Sequence, residues 1–137
     1  MSTPTPPVVV LAHSPNQSAG AAFEAAVRQA GWRGARLVIL NASTGESLVD
    51  PHHARPSDLA DMTGRAGEAG VDAVVEQPIG PDVATIILDR ADALGAELIV
   101  LATRHRSSIG KLIMGSTAQR VLMEADAEVL LVKDTDR

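Results

Sequence analysis

Glu97-Leu-Ile-Val-Leu-Ala-Thr-Arg-His-Arg-Ser-Ser-Ile-Gly-Lys-Leu-Ile-Met-Gly-Ser-Thr117 is the stretch from which the fold can be read. Its first residues, Glu97–Ala102, are a short apolar run bounded by a polar segment, as expected of a buried strand. Its last residues, Gly115-Ser116-Thr117, have the composition of a helix start. Between them lies a loop carrying Arg104, His105, Arg106 and Lys111. A strand, a basic loop and a helix opened by small residues form an anion-binding layout. The first backbone N–H groups of a helix lack internal partners and sit at the positive end of the helix dipole.

Working outward, the same alternation fills the chain. Val8–Ala12 is a continuous apolar run, and Ser14-Pro-Asn-Gln-Ser18 is a turn and capping cluster. Ala22, Phe23, Ala26, Val27 and Ala30 recur at helical spacing, and Gly31 is placed to end that helix. Arg36–Leu40 is a second strand, residues 41–56 read as a loop, and Leu59, Met62, Ala66 and Ala69 give a second, weaker helical stripe. Val71–Glu76 is the third strand. Gly80-Pro81-Asp82 puts Pro at a first helical position, ahead of an apolar face made by Val83, Ile86, Ile87, Ala91 and Leu94. Ser116–Ala125 is the fourth helix and Glu128–Lys133 the fifth strand.

Five strands alternating with four helices predict a single α/β domain with a mainly parallel sheet and helices on both faces. The spacing fits strand order 2-1-3-4-5 or 3-2-1-4-5. In the second, strands one and four are neighbours at the point where the order reverses, and the loops after them share one crevice. Ala12, His13 and Ser14 would then face Ala102, Arg104, His105 and Gly115-Ser116-Thr117 as nucleotide- or anion-binding candidates. Residues 1–7 read as a loose arm and 8–134 as the domain.

Composition excludes several classes. The net charge of −5 and the single Phe and single Trp argue against nucleic-acid binding, which wants basic patches or aromatic platforms. The absence of Cys removes disulfide, zinc-thiolate and Cys-nucleophile chemistry. No apolar run reaches the about 18 residues of a membrane span, and the N-terminus has no signal-peptide pattern, so a cytoplasmic location is expected. His52-His53 lack companions at ligand spacing, and no metal site is expected. Neither a Gly-x-Ser-x-Gly elbow nor a Walker-type loop is present, and no catalytic constellation emerges.

The residues resemble the universal stress protein family from Val8 to Lys133, most closely from Gly80 onward. The resemblance is carried by Ala96–Ala102, Ile109–Met114, Gly115-Ser116, Val121-Leu122, Ala125 and Val129–Val132. It implies the order 3-2-1-4-5 adopted here and a stress-response binding or regulatory role, with a protein partner that the sequence does not name. It also implies a homodimer through strand five, at Val129–Val132. Nucleotide-binding members carry Gly-x2-Gly-x9-Gly-[Ser/Thr] after strand four. Here Ala102 and His105 stand where the first two Gly belong, and Ala12 stands where an Asp is usual near the adenine. The resemblance therefore implies ATP or AMP as ligand with binding weakened or lost, or at most slow ATP hydrolysis. Phosphate or sulfate is expected at the retained Gly115-Ser116-Thr117. A dimeric interaction module without ligand is a further expectation.

Overall fold

The computed structural model describes residues 5–14, 19–45, 54–103 and 114–133. In chain order the elements are β1 (Val8–Ala12), α1 (Ala19–Arg33), β2 (Arg36–Leu40), α2 (Pro56–Glu68), β3 (Ala73–Glu76), α3 (Val83–Leu94), β4 (Leu98–Ala102), α4 (Ser116–Glu124) and β5 (Glu128–Val132). The strands form one sheet in the order β3-β2-β1-β4-β5, and every pairing is parallel. This is the expected order 3-2-1-4-5. The reversal falls between β1 and β4, where Val9 lies beside Leu98, Val10 beside Ile99 and Leu11 beside Val100.

The central strands are apolar on both faces because both faces are covered. Val9 and Leu11 of β1 point into a core shared with α1 and α2. Val8 and Val10 point into a second core shared with α3 and α4. Only one ring helps: Phe23 is buried in the first core, whereas Trp32 is 74% exposed. The interior is therefore built from Val, Leu, Ile and Ala. Each large aliphatic side chain taken fully from water contributes about 1.5–3 kcal/mol. β5, at the sheet edge, is different: Val129, Leu130, Leu131 and Val132 are all half-buried.

Three helices end in the same way. Gly34, Gly70 and Gly95 have φ of 62°, 82° and 63°, the left-handed region that L side chains avoid. After α1, the Ala35 N–H donates to the Ala30 carbonyl at 2.9 Å and the Gly34 N–H to the Gly31 carbonyl at 3.4 Å. The same pair of bonds closes α3 around Gly95. α1 accordingly runs past Gly31, the expected terminator, because Gly34 supplies the left-handed cap. At α3 the expectation is corrected too. Asp82 is the N-cap, its carboxylate accepting from the Thr85 N–H at 3.1 Å, so Pro81 lies outside the helix. β3 begins at Ala73, and Val71 packs into the first core.

The region read as a loop after β2 begins with a polar knot. Asn41 is fully buried. Its Nδ2 donates to the His13 carbonyl at 3.0 Å. Its Oδ1 accepts from the Ala54 N–H at 2.8 Å and from Gln77 Nε2 at 3.0 Å. One side chain thus joins the ends of β1, β2 and β3 to the segment entering α2. Asn41→Ala removes the partner of the buried His13 carbonyl and Ala54 N–H, each costing about 1–3 kcal/mol, while Gln77 keeps its bond to the Ala54 carbonyl. We expect urea unfolding to show a loss of about 3 kcal/mol or more on that basis. A variant as stable as the parent would contradict the assigned role.

Candidate functional site

At the reversal, the carboxyl ends of β1 and β4 border a crevice of about 300 Å³. Its floor is formed by the strand ends, Leu11 and Ala12 of β1, Leu40 of β2, and Leu101 and Ala102 of β4. Val83 and Ile87 of α3 form one wall, and Ala19 and Ala22 of α1 form another. Thr117 and Ala118, in the first turn of α4, complete it. Among the described lining residues none carries a formal charge at neutral pH.

The structure brings together most of the sequence-predicted residues that it describes. Ala12, His13, Ser14, Ala102 and Thr117 all line the crevice. Gly115 is the N-cap of α4, with extended backbone (φ −68°, ψ 159°), and Ser116 is the first helical residue. The Gln119 N–H closes the first turn onto the Gly115 carbonyl at 2.9 Å. The N–H groups ahead of it belong to the set that no helix satisfies internally. Arg104, His105, Arg106, Lys111, His52 and His53 lie outside the described residues.

The two helices that frame this end are tied to each other. The Asp82 carboxylate, which caps α3, pairs with the Arg120 guanidinium of α4. Arg120 also reaches Glu124 at 2.9 Å. The Thr85 hydroxyl and amide, and then Arg120, hold the Asp82 carboxyl below its ordinary range. Exposed pairs of this kind contribute little stability, and α3 and α4 pack through Ile87, Ala91, Ala118 and Val121 of the second core.

His13 closes the β1 end of the crevice. Its N–H donates to the Leu40 carbonyl at 2.9 Å, and its carbonyl accepts from Asn41. The side chain is 9% exposed and its Nδ1 has no hydrogen-bond partner. Burial pushes the imidazole below its ordinary value of 6.5, with the charge of Asp58 on α2 opposing the shift. At neutral pH His13 is therefore neutral and is not a cation for a phosphate.

A second groove, of about 280 Å³, lies between the later turns of α3 and α4. Asp89, Asp92, Glu124 and Asp126 rim it, which gives it the wrong sign for an anion. The crevice at the strand ends is the better candidate because its described lining is uncharged and it meets a helix N-terminus. Leu40, Ala42, Val83 and Ile87 were not among the sequence candidates, since isolated aliphatic residues carry no motif. Asn41 did carry a signal, as the first polar residue after an unbroken apolar strand.

An open, parallel α/β sheet whose strand order reverses between β1 and β4 defines the doubly wound class of folds. Within that class, the profile of the family described as "Universal stress protein family" matches residues 7–133. A universal stress protein of Mycolicibacterium smegmatis is 36% identical over 126 residues, covering 92% of this chain and 97% of that relative. The chain belongs to the universal stress protein family. Among solved structures, a universal stress protein from Archaeoglobus fulgidus superposes with a TM-score of 0.78 at 24% identity, over 95% of this chain and all of that one. The A. fulgidus universal stress protein in complex with dAMP superposes with a TM-score of 0.68 at 19% identity, covering 94% and 98%.

The state of His13 predicts a pH dependence of stability. Its folded pKa lies below its unfolded value, so the unfolded chain takes the proton first as the pH falls. The native state should lose stability as the pH drops from about 7 through the unfolded histidine range near 6.5. His13→Gln removes this contribution. Between pH 7.5 and 5, the stability difference between parent and variant should shift in favour of the variant. A difference that stays constant across that range would contradict the buried, neutral assignment.

Proposed function

We propose that this chain is a small cytoplasmic regulatory module that binds an adenine nucleotide of the AMP or ATP class, weakly, in the crevice between β1 and β4. The observation that carries the reading is a crevice of about 300 Å³ whose described lining carries no formal charge, with the N-terminus of α4 at one end. An apolar slot accepts a base and sugar, and a helix N-terminus accepts a phosphate. A structural neighbour solved with dAMP supports the same ligand class. Weak binding follows from Ala12 and Ala102, which line the crevice as methyl groups. Neither supplies a hydrogen bond, and at Ala102 a Cβ stands where the resemblance places Gly.

A role without rapid turnover agrees with the chemistry of the described lining. His13 is the one titratable side chain there, and it is buried. A general base must reach the proton it removes.

The second element of the proposal is a two-fold homodimer through β5. The support is an edge strand whose Val129–Val132 are apolar at every position and half-buried. Such an edge, charged only at its first residue Glu128 and without Pro, invites pairing with a second strand. Sedimentation at micromolar concentration should show a dimer, and Leu130→Lys should give a monomer of unchanged fold. A native monomer under those conditions would contradict the proposal.

For the nucleotide, calorimetry should show weak AMP binding by the native chain. Replacing Ala102 and His105 together by Gly removes side chains where the resemblance places Gly, and should restore binding on the scale of about 1–3 kcal/mol. That corresponds to an affinity gain of about 5- to 150-fold. Binding should also weaken with added salt, because exposed phosphate contacts are screened over about 8 Å at physiological ionic strength. Absence of AMP binding by both forms would overturn the reading.

A further inference from the structure

We propose that β5 pairs antiparallel with its own copy, in the register that sets Leu130 opposite the partner's Leu130 on the two-fold axis. This rests on the homodimer reading above and fixes its register. Among the described residues no strand lies on the outer side of β5. The bonds to β4 show which backbone groups that side presents. The Glu128 N–H donates to the Glu97 carbonyl at 3.2 Å, and the Val132 carbonyl accepts from the Thr103 N–H at 2.9 Å. In a strand, the N–H and C=O of one residue point to one side and those of the next residue to the other. Glu128, Leu130 and Val132 therefore direct their backbone groups to β4, and Val129 and Leu131 present theirs to the open edge.

Two-fold symmetry narrows the registers further. An axis perpendicular to the sheet continues it from one copy to the next and keeps each sheet face on its own side. Residues directly opposite each other then point to the same face. In β5, Leu130 and Val132 join the α1–α2 core, whereas Val129 and Leu131 join the α3–α4 core. Opposite residues must therefore differ by an even number of positions, so the axis passes through a residue and not between two. An axis between Leu130 and Leu131 would set side chains of opposite faces against each other.

β5 runs from Glu128 to Val132, and Leu130 is its middle residue. An axis at Leu130 pairs the whole strand, with Val129 opposite the partner's Leu131 and Glu128 opposite the partner's Val132. An axis at Val129 or Leu131 leaves both ends of the strand without a strand partner. In the Leu130 register the open-edge groups of Val129 exchange both hydrogen bonds with the partner's Leu131. Leu130, whose backbone groups face β4, forms the non-hydrogen-bonded pair, in which side chains lie closest. The two copies of Glu128 stand at opposite ends of the ladder. Each keeps Arg33 of its own chain at 3.6 Å, and its side chain is 75% exposed. The pairing thus buries the half-exposed Val129–Val132 without burying a charge.

The chain contains no Cys, so one introduced thiol reads the register. In the full chain, Leu130→Cys sets two thiols across a non-hydrogen-bonded pair with Cα atoms about 4.5 Å apart, within the span of a disulfide. Mild oxidation should convert most of that variant to a covalent dimer. For Val129→Cys or Leu131→Cys the two copies' Cα atoms stand about 8 Å apart, too far to bridge, and no cross-link should form. A Leu130→Cys dimer that does not cross-link, or faster cross-linking at Val129 or Leu131, would overturn the register while leaving the dimer intact. Hydrogen exchange of the native chain gives a second readout. The Leu130 amide faces β4 in monomer and dimer alike, whereas the Val129 and Leu131 amides gain a partner only from the second copy. Those two amides should be protected in the native chain and lose that protection in Leu130→Lys. Unprotected Val129 and Leu131 amides in a chain that sediments as a dimer would overturn the β5 pairing. If the native chain sediments as a monomer, the homodimer reading fails and this inference with it.

Discussion

The parallel pairing of β1 with β4 is the constraint on which the rest of the molecule depends. From β1 the chain winds outward through β2 to β3, then returns across the sheet to β4 and continues to β5. With each crossover right-handed, that return sends α1 and α2 to one face and α3 and α4 to the other. The two strands at the seam lie under helices on both sides. This is why Val8–Leu11 and Leu98–Leu101 are apolar at every position and buried. The seam is also where a crevice opens at the strand ends, at the reversal of strand order.

The seam is held at its carboxyl end by polar contacts of unequal depth. Asn41 acts in the interior, fixing the backbone of His13 while it joins β2 to Gln77 and Ala54. At that depth a missing partner is costly. Asp82 and Arg120 act at the surface, where the ion pair bridges α3 and α4 and adds little energy. The crevice therefore has one rigid side, built into the β1–β2 ends. Its other side is positioned by the start of α4.

β1 and β2 were legible to the residue, because a strand buried on both faces leaves an unbroken apolar run. The edge strand β3 was legible only in part: Val71 is apolar but belongs to the turn after α2, and pattern alone does not separate the two. Gly31 misled for a similar reason, since a helix tolerates one Gly when a better cap, Gly34, follows. The anion end of the site was legible in Gly115-Ser116-Thr117, where residue type and position carry the chemistry. The apolar end was not. Leu40, Ala42, Val83 and Ile87 become neighbours only through the sheet order, and Arg104 and His105, read from sequence, lie outside the described residues.

The central claim is that a nucleotide lies across the β1–β4 seam with its phosphate at α4. A crystal structure of the chain grown with AMP tests it most directly. The account predicts density over Ala12 and Ala102, the phosphate within hydrogen-bond distance of the Ser116 and Thr117 amides, and the base between Ala42 and Val83. A well-occupied AMP in the α3–α4 groove, or a crevice without nucleotide at saturating concentration, would contradict it.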